Sequence, residues 1–299
     1  MSNSHDIRIG DLIRTDIASA TSSDIVIIGV PTDEGIRRNG GRVGAAQAPD
    51  EIRKYLKKLT PFSGKEQQRD ISTIKIFDHG NISGKTLEEI HQAATATVLD
   101  YSSRGCFVIS IGGGHDITYP VVKGIHQSKN QQLGLINIDA HLDVRPKKNN
   151  LHHSGSSFRL LIEEEIIAPT RFVEFGIQPF SASKEHCDWT TDQGASILFY
   201  EAIRSADVET ALIEAIELIG KFFLSFDIDS IRSADAPGCS APSPIGFSAD
   251  EALQICSIAA SSGQLIGFDL VEVNPLFDVD SRTSRLAARM IATCIFGLQ

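Results

Sequence analysis

The chain has 299 residues, of which 41% are hydrophobic and 22% are charged, as is ordinary for a globular protein. No apolar run approaches the roughly eighteen residues that a membrane span needs. The net charge of -10 argues against nucleic-acid binding, which usually requires a cluster of basic residues. The acidic start does not resemble a secretory signal, and the five scattered cysteines indicate reduced thiols, so we expect a cytoplasmic protein.

Eight short apolar runs recur along the chain and predict β-strands. Each is rich in Val, Ile, Leu and Phe over its whole length, as is typical of strands buried on both faces of a sheet. The runs cover residues 24–30, 72–77, 106–111, 133–139, 171–177, 196–200, 221–229 and 264–273.

Helical patterns occupy intervals between these runs. Pro49 suits a first helical turn, and the acids after it suit the positive end of a helix. Further helices are predicted over residues 86–101, 206–218, 248–260 and 281–296. The alternation of strands and helices predicts a mostly parallel sheet of about eight strands with helices on both sides. Without repeats or a linker, one domain over residues 1–299 is the simplest organisation.

Three of the predicted strands end in side chains that can bind metal ions, and ligands commonly bind at the carboxyl ends of parallel strands. Those side chains belong to His115, Asp139, His141, Asp143, Asp227 and Asp229. Asp139, His141 and Asp143 follow one strand at alternate positions, as Asp227 and Asp229 follow another. In extended backbone, the side chains of alternate residues point to one face. A lone Asp after a strand is more often a turn former, but four acids there would be unfavourable if buried unpaired.

The mixture of carboxylates and imidazoles favours Mn²⁺ over a thiolate-bound zinc ion. Six such side chains are too many for one catalytic ion that keeps an open position. They indicate a pair of ions that share a water molecule and lower its pKa, so that a hydroxide nucleophile forms.

At these positions the chain resembles the ureohydrolase superfamily of arginases, agmatinases and formimidoylglutamases. The motifs that carry the resemblance are GGRVGAAQAPDEIR (40–53), GGGHD (112–116), DAHLD (139–143), SFDIDSIRSADAPGCSAP (225–242) and DLVEVNP (269–275). The resemblance implies an arginase-like three-layer α/β/α fold, two Mn²⁺ per subunit, a small-molecule amidine substrate and a homo-oligomer, either a trimer or a hexamer.

The resemblance also implies roles for the site residues. One ion would be held by His115, Asp139, Asp143 and Asp227, and the other by Asp139, His141, Asp227 and Asp229. Asp143 would also orient the nucleophilic hydroxide. Glu272 would pair with the cationic amidinium or guanidinium of the substrate.

Within the superfamily, three segments favour a formimidoylglutamase. They are PTDEGIRRNGGRVGAAQAP (31–49), APGCSAPSP (236–244) and SGSSFR (154–159). Arg145 and Arg159 are candidates for the two carboxylates of a glutamate-derived substrate, because a guanidinium can grip a carboxylate in two places. Ser154 stands where arginases carry a proton-shuttling His; we place it among the substrate contacts, and His153 is the candidate shuttle.

The sequence thus leads to the hypothesis that the chain hydrolyses N-formimidoyl-L-glutamate to L-glutamate and formamide, a reaction of histidine degradation. The alternatives are a urea-releasing agmatinase, guanidinobutyrase or arginase, a mononuclear zinc deacylase of the same fold, and an inert binding protein.

Overall fold

The computed structural model describes residues 6–63 and 69–298, which contain eleven strands. In chain order these are β1 (Ile13–Arg14), β2 (Ile25–Val30), β3 (Phe62–Ser63), β4 (Arg69–Asp70), β5 (Ile76–Asn81), β6 (Phe107–Gly112), β7 (Leu133–Ile138), β8 (Ile167–Ile177), β9 (Ser196–Phe199), β10 (Phe222–Asp227) and β11 (Leu265–Val271). Nine of them form one parallel sheet in the order β1-β5-β2-β6-β11-β10-β7-β8-β9, and β3 pairs antiparallel with β4.

Eleven α-helices lie in the same described part of the chain. They are α1 (Ile9–Leu12), α2 (Glu34–Asn39), α3 (Ala48–Leu56), α4 (Leu87–Ser103), α5 (Thr118–Lys129), α6 (Ser157–Glu163), α7 (Lys184–Asp192), α8 (Tyr200–Ala206), α9 (Val208–Ile219), α10 (Ala249–Ser261) and α11 (Arg282–Gly297). None of these helices is both long and apolar enough to cross a bilayer.

The sheet separates two hydrophobic cores. Alternate residues of a strand point to opposite faces, and in β2 Ile25 and Ile27 enter one core while Val26 and Ile28 enter the other. Helices α3, α9, α10 and α11 cover the first face, whereas α4, α5 and α6 cover the second. The three-layer α/β/α prediction is therefore confirmed.

The eight predicted strands all belong to this sheet, which is wholly parallel and not merely mostly so. A ninth strand, β1, has only two residues and is too short to produce an apolar pattern. The strand predicted over residues 72–77 lies later in the structure. Residues 71–73 form a 3-10 turn, and the strand begins at Ile76 and continues through polar residues to Asn81. Helix α5 was not predicted from the pattern; it follows β6 after a 3-10 turn at His115–Ile117.

Candidate metal centre

The six candidate metal ligands lie at the carboxyl ends of strands in the middle of the sheet. β6, β11, β10 and β7 are consecutive neighbours there. His115 follows β6, Asp139 follows β7 and Asp227 ends β10, whereas Glu272 follows β11. Strands that are far apart along the chain therefore deliver all these side chains to one edge.

The sequence predicts that the paired ligands converge in extended backbone, but in the structure tight turns bring them together. Asp139 Oδ1 accepts the backbone N–H of His141 at 2.7 Å, and Asp227 Oδ1 accepts that of Asp229 at 2.8 Å. Residues Ile228–Ser230 form a 3-10 turn, and Asp143 has a φ of +45°. Each first acid thus closes a tight turn that brings the later ligand back towards it.

A first cluster surrounds the Nδ1 atom of His115, whose side chain is fully buried. The carboxylate Oδ2 atoms of Asp139, Asp143 and Asp227 lie at 3.2, 3.1 and 3.1 Å from that nitrogen. None of these contacts has the geometry of a hydrogen bond. One nitrogen facing three carboxylate oxygens is the arrangement expected of ligands around a cation.

A second cluster shares Asp139 with the first. His141 Nδ1 lies 3.5 Å from Asp139 Oδ1 and 3.2 Å from Asp229 Oδ2. In both clusters the ligand atoms all lie within 4.8 Å of one another. Asp139 presents one oxygen to each cluster, which is the geometry of a bridging carboxylate.

The spacing of these atoms fits divalent ions. Ligand atoms on neighbouring corners of a coordination sphere lie about 3 Å apart when the metal–ligand distances are about 2.0–2.2 Å. The His115 contacts have this spacing, and Asp229 Oδ1 is a further buried oxygen that has no hydrogen-bond partner among the described residues. The donor set contains oxygen and nitrogen without sulfur, which suits manganese better than structural zinc.

The buried acids of the two clusters repel one another, and this repulsion favours the binding of cations. Burial, together with the carboxylates of Asp229 and Asp139, raises the pKa of Asp227 well above its usual range. Burial likewise raises the pKa of Asp229. Buried acids side by side disfavour each other's ionisation, and bound dications would offset that repulsion.

A row of polar side chains crosses the sheet beneath the centre. Strand register aligns its members, which are Ser110, Asp269, Ser225, Asn137 and Glu174, on β6, β11, β10, β7 and β8 respectively. All five are fully buried, in a sheet whose other central positions are apolar. We call this set the polar row.

The polar row holds the first cluster at two points. Ser225 Oγ lies 2.9 Å from His115 Nε2 and donates to Asp269 Oδ1 at 2.7 Å. Asn137 Nδ2 donates to Asp139 Oδ2 at 3.2 Å and to Glu174 Oε2 at 2.8 Å. Such outer partners fix the orientation of metal ligands.

Sequence reasoning missed the polar row, although a signal was present. Each member is a polar residue inside a run otherwise typical of a buried strand, as Glu174 is within RFVEFGI. Burial raises the pKa of Glu174 well above its usual range.

Glu272 stands beside the first cluster in a strained conformation. Its φ is +64°, a left-handed value that few non-glycine residues adopt, and its N–H donates to the Gly113 carbonyl at 2.8 Å. Its Oε1 accepts the backbone N–H of His115 at 2.8 Å, whereas its buried Oε2 has no hydrogen-bond partner among the described residues. Burial raises the pKa of Glu272 to about 8, which the hydrogen bond from the His115 N–H partly opposes. A cation next to Oε2 would satisfy this carboxylate.

His153 does not have the surroundings expected of a proton shuttle. Its Nδ1 accepts the N–H of Gly155 at 3.2 Å, and its Nε2 lies 3.0 Å from the Pro146 carbonyl, to which it donates. Both ring nitrogens therefore bind backbone atoms, and burial lowers the pKa of the ring. These contacts hold the loop of His153 together.

The two candidate arginines differ in how far their guanidinium groups are already engaged. Arg159 donates to Glu163 at 2.7 Å and its guanidinium lies 4.6 Å from the centre of the Trp189 ring. Arg145 is exposed, and within the described part of the chain its guanidinium donates only from Nη1 to the side-chain oxygen of Asn39, at 3.3 Å. Arg145 therefore remains available to an anion, whereas the charge of Arg159 is already offset.

Comparison with known proteins agrees with the fold and the site. The Arginase family profile matches residues 23–297 of the chain. A formimidoylglutamase of Rhodococcus jostii (strain RHA1) is 30% identical over 300 residues, which cover 97% of this chain and 90% of that protein. The crystal structure of Trypanosoma cruzi formiminoglutamase with Mn2+2 has a TM-score of 0.91 at 37% identity, with 98% of each chain covered.

A formimidoylglutamase structure from Bacillus subtilis superimposes with a TM-score of 0.92 at 27% identity, over 99% of this chain and 93% of that one. The profile match and these similarities extend over nearly the whole chain. The chain belongs to the arginase family.

Proposed function

We propose that the chain is a hydrolase with two manganese ions that converts N-formimidoyl-L-glutamate and water to L-glutamate and formamide. The observation that carries the proposal is the pair of ligand clusters that share Asp139, next to a buried Glu272 carboxylate with one free oxygen. The similarity to formimidoylglutamases from several bacteria supports the choice of substrate.

The first ion would be held by His115, Asp139, Asp143 and Asp227, and the second by Asp139, His141, Asp227 and Asp229. Contacts within the two clusters support this assignment for every ligand except the second role of Asp227, which rests on the family resemblance. When bound, the two ions would supply a hydroxide at neutral pH by lowering the pKa of a shared water molecule.

Glu272 binds the amidinium of the substrate in this proposal. Its Oε2 lies in a low-dielectric site where an ion pair with a positively charged nitrogen is strong. The pairing also orients the formimidoyl carbon towards the ligand clusters, because Oε1 is tied to the backbone of His115.

Asp143 takes up the proton that the attacking water loses. Its side chain is 15% exposed, whereas that of Asp139 is fully buried, so Asp143 faces the open side of the centre. Water supplies the oxygen of formamide, the bond between the formimidoyl carbon and the glutamate nitrogen breaks, and the departing amine receives the proton.

Arg145 and Ser154 would contact the carboxylates of the substrate. Arg145 lies two residues after Asp143 and has an exposed guanidinium, so it can reach a substrate bound at the centre. We leave Arg159 out of this set, because Glu163 already pairs with its guanidinium. The role of His153 as proton shuttle stays a prediction that its contacts with backbone atoms do not favour.

The test is an assay of the Mn²⁺-loaded protein with four separate substrates: N-formimidoyl-L-glutamate, agmatine, 4-guanidinobutyrate and arginine. We expect formamide and glutamate from the first compound, and little urea from the others. Urea release with no formamide would overturn the proposed substrate. One tightly bound zinc per chain, with no Mn²⁺ activation, would overturn the binuclear centre.

The matched variant is Glu272→Gln, which keeps the oxygen facing His115 but removes the charge. We expect kcat/KM to fall by about 30-fold or more, since breaking a buried charge pair costs about 2–5 kcal/mol, while two ions per chain are retained. Activity within a few-fold of the unaltered enzyme would exclude Glu272 as the amidinium partner.

Other expectations stay predictions. These are a single domain over residues 1–299, a homo-oligomer with three or six subunits, and a cytoplasmic location. Light scattering on the purified protein distinguishes the oligomers from a monomer.

A further inference from the structure

Asn39 joins two parts of the substrate side of the site that are distant in sequence. It is the last residue of α2, and its side chain is partly buried. Its amide Nδ2 donates to Ser154 Oγ at 3.1 Å, and its Oδ1 accepts from Arg145 Nη1 at 3.3 Å. Asn39 therefore holds both of the residues that we assign to the substrate carboxylates.

The surrounding backbone leaves room for this bridge and little else. Arg145 N–H donates to the Gly155 carbonyl at 2.8 Å, which ties the two ends of the loop together. A Cβ added at Gly155 would lie 3.0 Å from Asn39 Nδ2 and 3.2 Å from Arg145 Cδ. Glycine at this position thus lets both side chains pack across the loop.

The end of α2 anchors the same loop at two further points. Arg38 donates from Nη1 to the His152 carbonyl at 3.1 Å, and Lys148 Nζ donates to the Arg38 carbonyl at 3.4 Å. The loop from Arg145 to Ser154 is therefore docked on α2, and Asn39 makes the contact nearest the guanidinium.

The amide is chemically suited to a positioning role. A neutral oxygen accepts one N–H of Arg145 without cancelling its charge, so four donors of the guanidinium remain for an anion. An aspartate in its place would accept the same bond but would form an ion pair with Arg145 and compete with a substrate carboxylate.

We propose that Asn39 is a positioning residue that sets Arg145 and Ser154 for recognition of a carboxylate on the substrate. The inference rests on the proposed function and deepens it, because it assigns the choice between carboxylated and carboxylate-free amidines to a contact from α2. Asn39 acts through its neighbours and takes no part in breaking the C–N bond.

The experiment measures binding of the product, L-glutamate, to the Mn²⁺-loaded protein by calorimetry, together with steady-state kinetics. Asn39→Ala and Asn39→Asp are compared with Arg37→Ala, a control on the same helix whose side chain is exposed and pairs only with Glu34 among the described residues. The kinetic substrates are N-formimidoyl-L-glutamate and N-propylformamidine, which has no carboxylate.

We expect both Asn39 variants to bind L-glutamate about tenfold more weakly, or worse. Asn39→Ala removes the hydrogen bond that positions Arg145, whereas Asn39→Asp keeps it but pairs with the charge of Arg145. KM for formimidoylglutamate should rise with little change in kcat, while kcat/KM for N-propylformamidine stays within about twofold. The Asn39→Ala change should add no further loss to Arg145→Ala. Arg37→Ala should resemble the unaltered enzyme.

Unchanged glutamate binding in both Asn39 variants would overturn the inference, as would an equal loss of activity on both substrates. The latter would show general damage to the site. Failure of the proposed function looks different: the unaltered enzyme would release no formamide, whereas the glutamate titrations would still report whether Asn39 controls carboxylate binding. An unaltered protein that does not bind L-glutamate overturns the inference as well.

Discussion

Ser225→Ala is the sharpest test of how the polar row supports the metal centre. The Ser225 hydroxyl lies between the Nε2 of His115 and the carboxylate of Asp269, and Thr118 Oγ1 contacts it at 3.1 Å. With a metal ion bound at Nδ1 of His115, the ring proton would be on Nε2, which would donate a hydrogen bond to Ser225. The hydroxyl thereby fixes both the tautomer and the orientation of the ring.

The magnitude follows from what the substitution leaves behind. His115 Nε2 and Asp269 Oδ1 would both be buried without these partners, and each such group costs about 1–3 kcal/mol. The folded protein should therefore lose about 2–6 kcal/mol of stability. Loss of an outer partner of a metal-binding histidine lowers metal affinity by about 10- to 100-fold.

The assay is a calorimetric titration of metal-free protein with Mn²⁺, paired with urea unfolding. Ser110→Ala is the matched control, because Ser110 belongs to the same polar row and is fully buried, yet its Oγ has no hydrogen-bond partner among the described residues. We expect the control to keep the Mn²⁺ affinity of the unaltered protein. If Ser225→Ala binds Mn²⁺ as tightly as the control does, the polar row does not organise the centre.

Two further predictions concern metal removal and pH. Chelation with EDTA should lower the unfolding temperature by about 5 °C for each ion held at 100 times its Kd, with recovery on adding Mn²⁺; calorimetry that shows no shift would contradict a metal-stabilised centre. Burial raises the pKa of Glu174, so the folded protein keeps a proton that the unfolded chain releases above about pH 4.3, and this group costs stability increasingly as pH rises. The free energy of unfolding of Glu174→Gln should therefore increase relative to that of the unaltered protein between pH 5 and 8. A difference between their urea midpoints that does not change with pH would refute the raised pKa of Glu174.

Much of the centre could be predicted because its ligands are encoded locally. His115, the DAHLD segment and the pair Asp227 and Asp229 follow apolar runs that are visible without a structure. The reason given for their convergence was nevertheless wrong, since side-chain hydrogen bonds to Asp139 and Asp227 turn the chain where extended backbone was expected. Turn geometry after a strand depends on such bonds, which spacing alone does not disclose.

The strand-and-helix alternation, the kinds of metal ligand and the acid at position 272 can be read from the sequence, because apolar periodicity and short motifs are local properties. Tertiary structure decided which strands became neighbours: β6, β11, β10 and β7 do not follow chain order. It also decided the register that aligns Ser225 with Asp269, and the contact of Asn39 with residues more than 100 positions away. These pairings form only when distant segments pack together, so no pattern within a single segment specifies them.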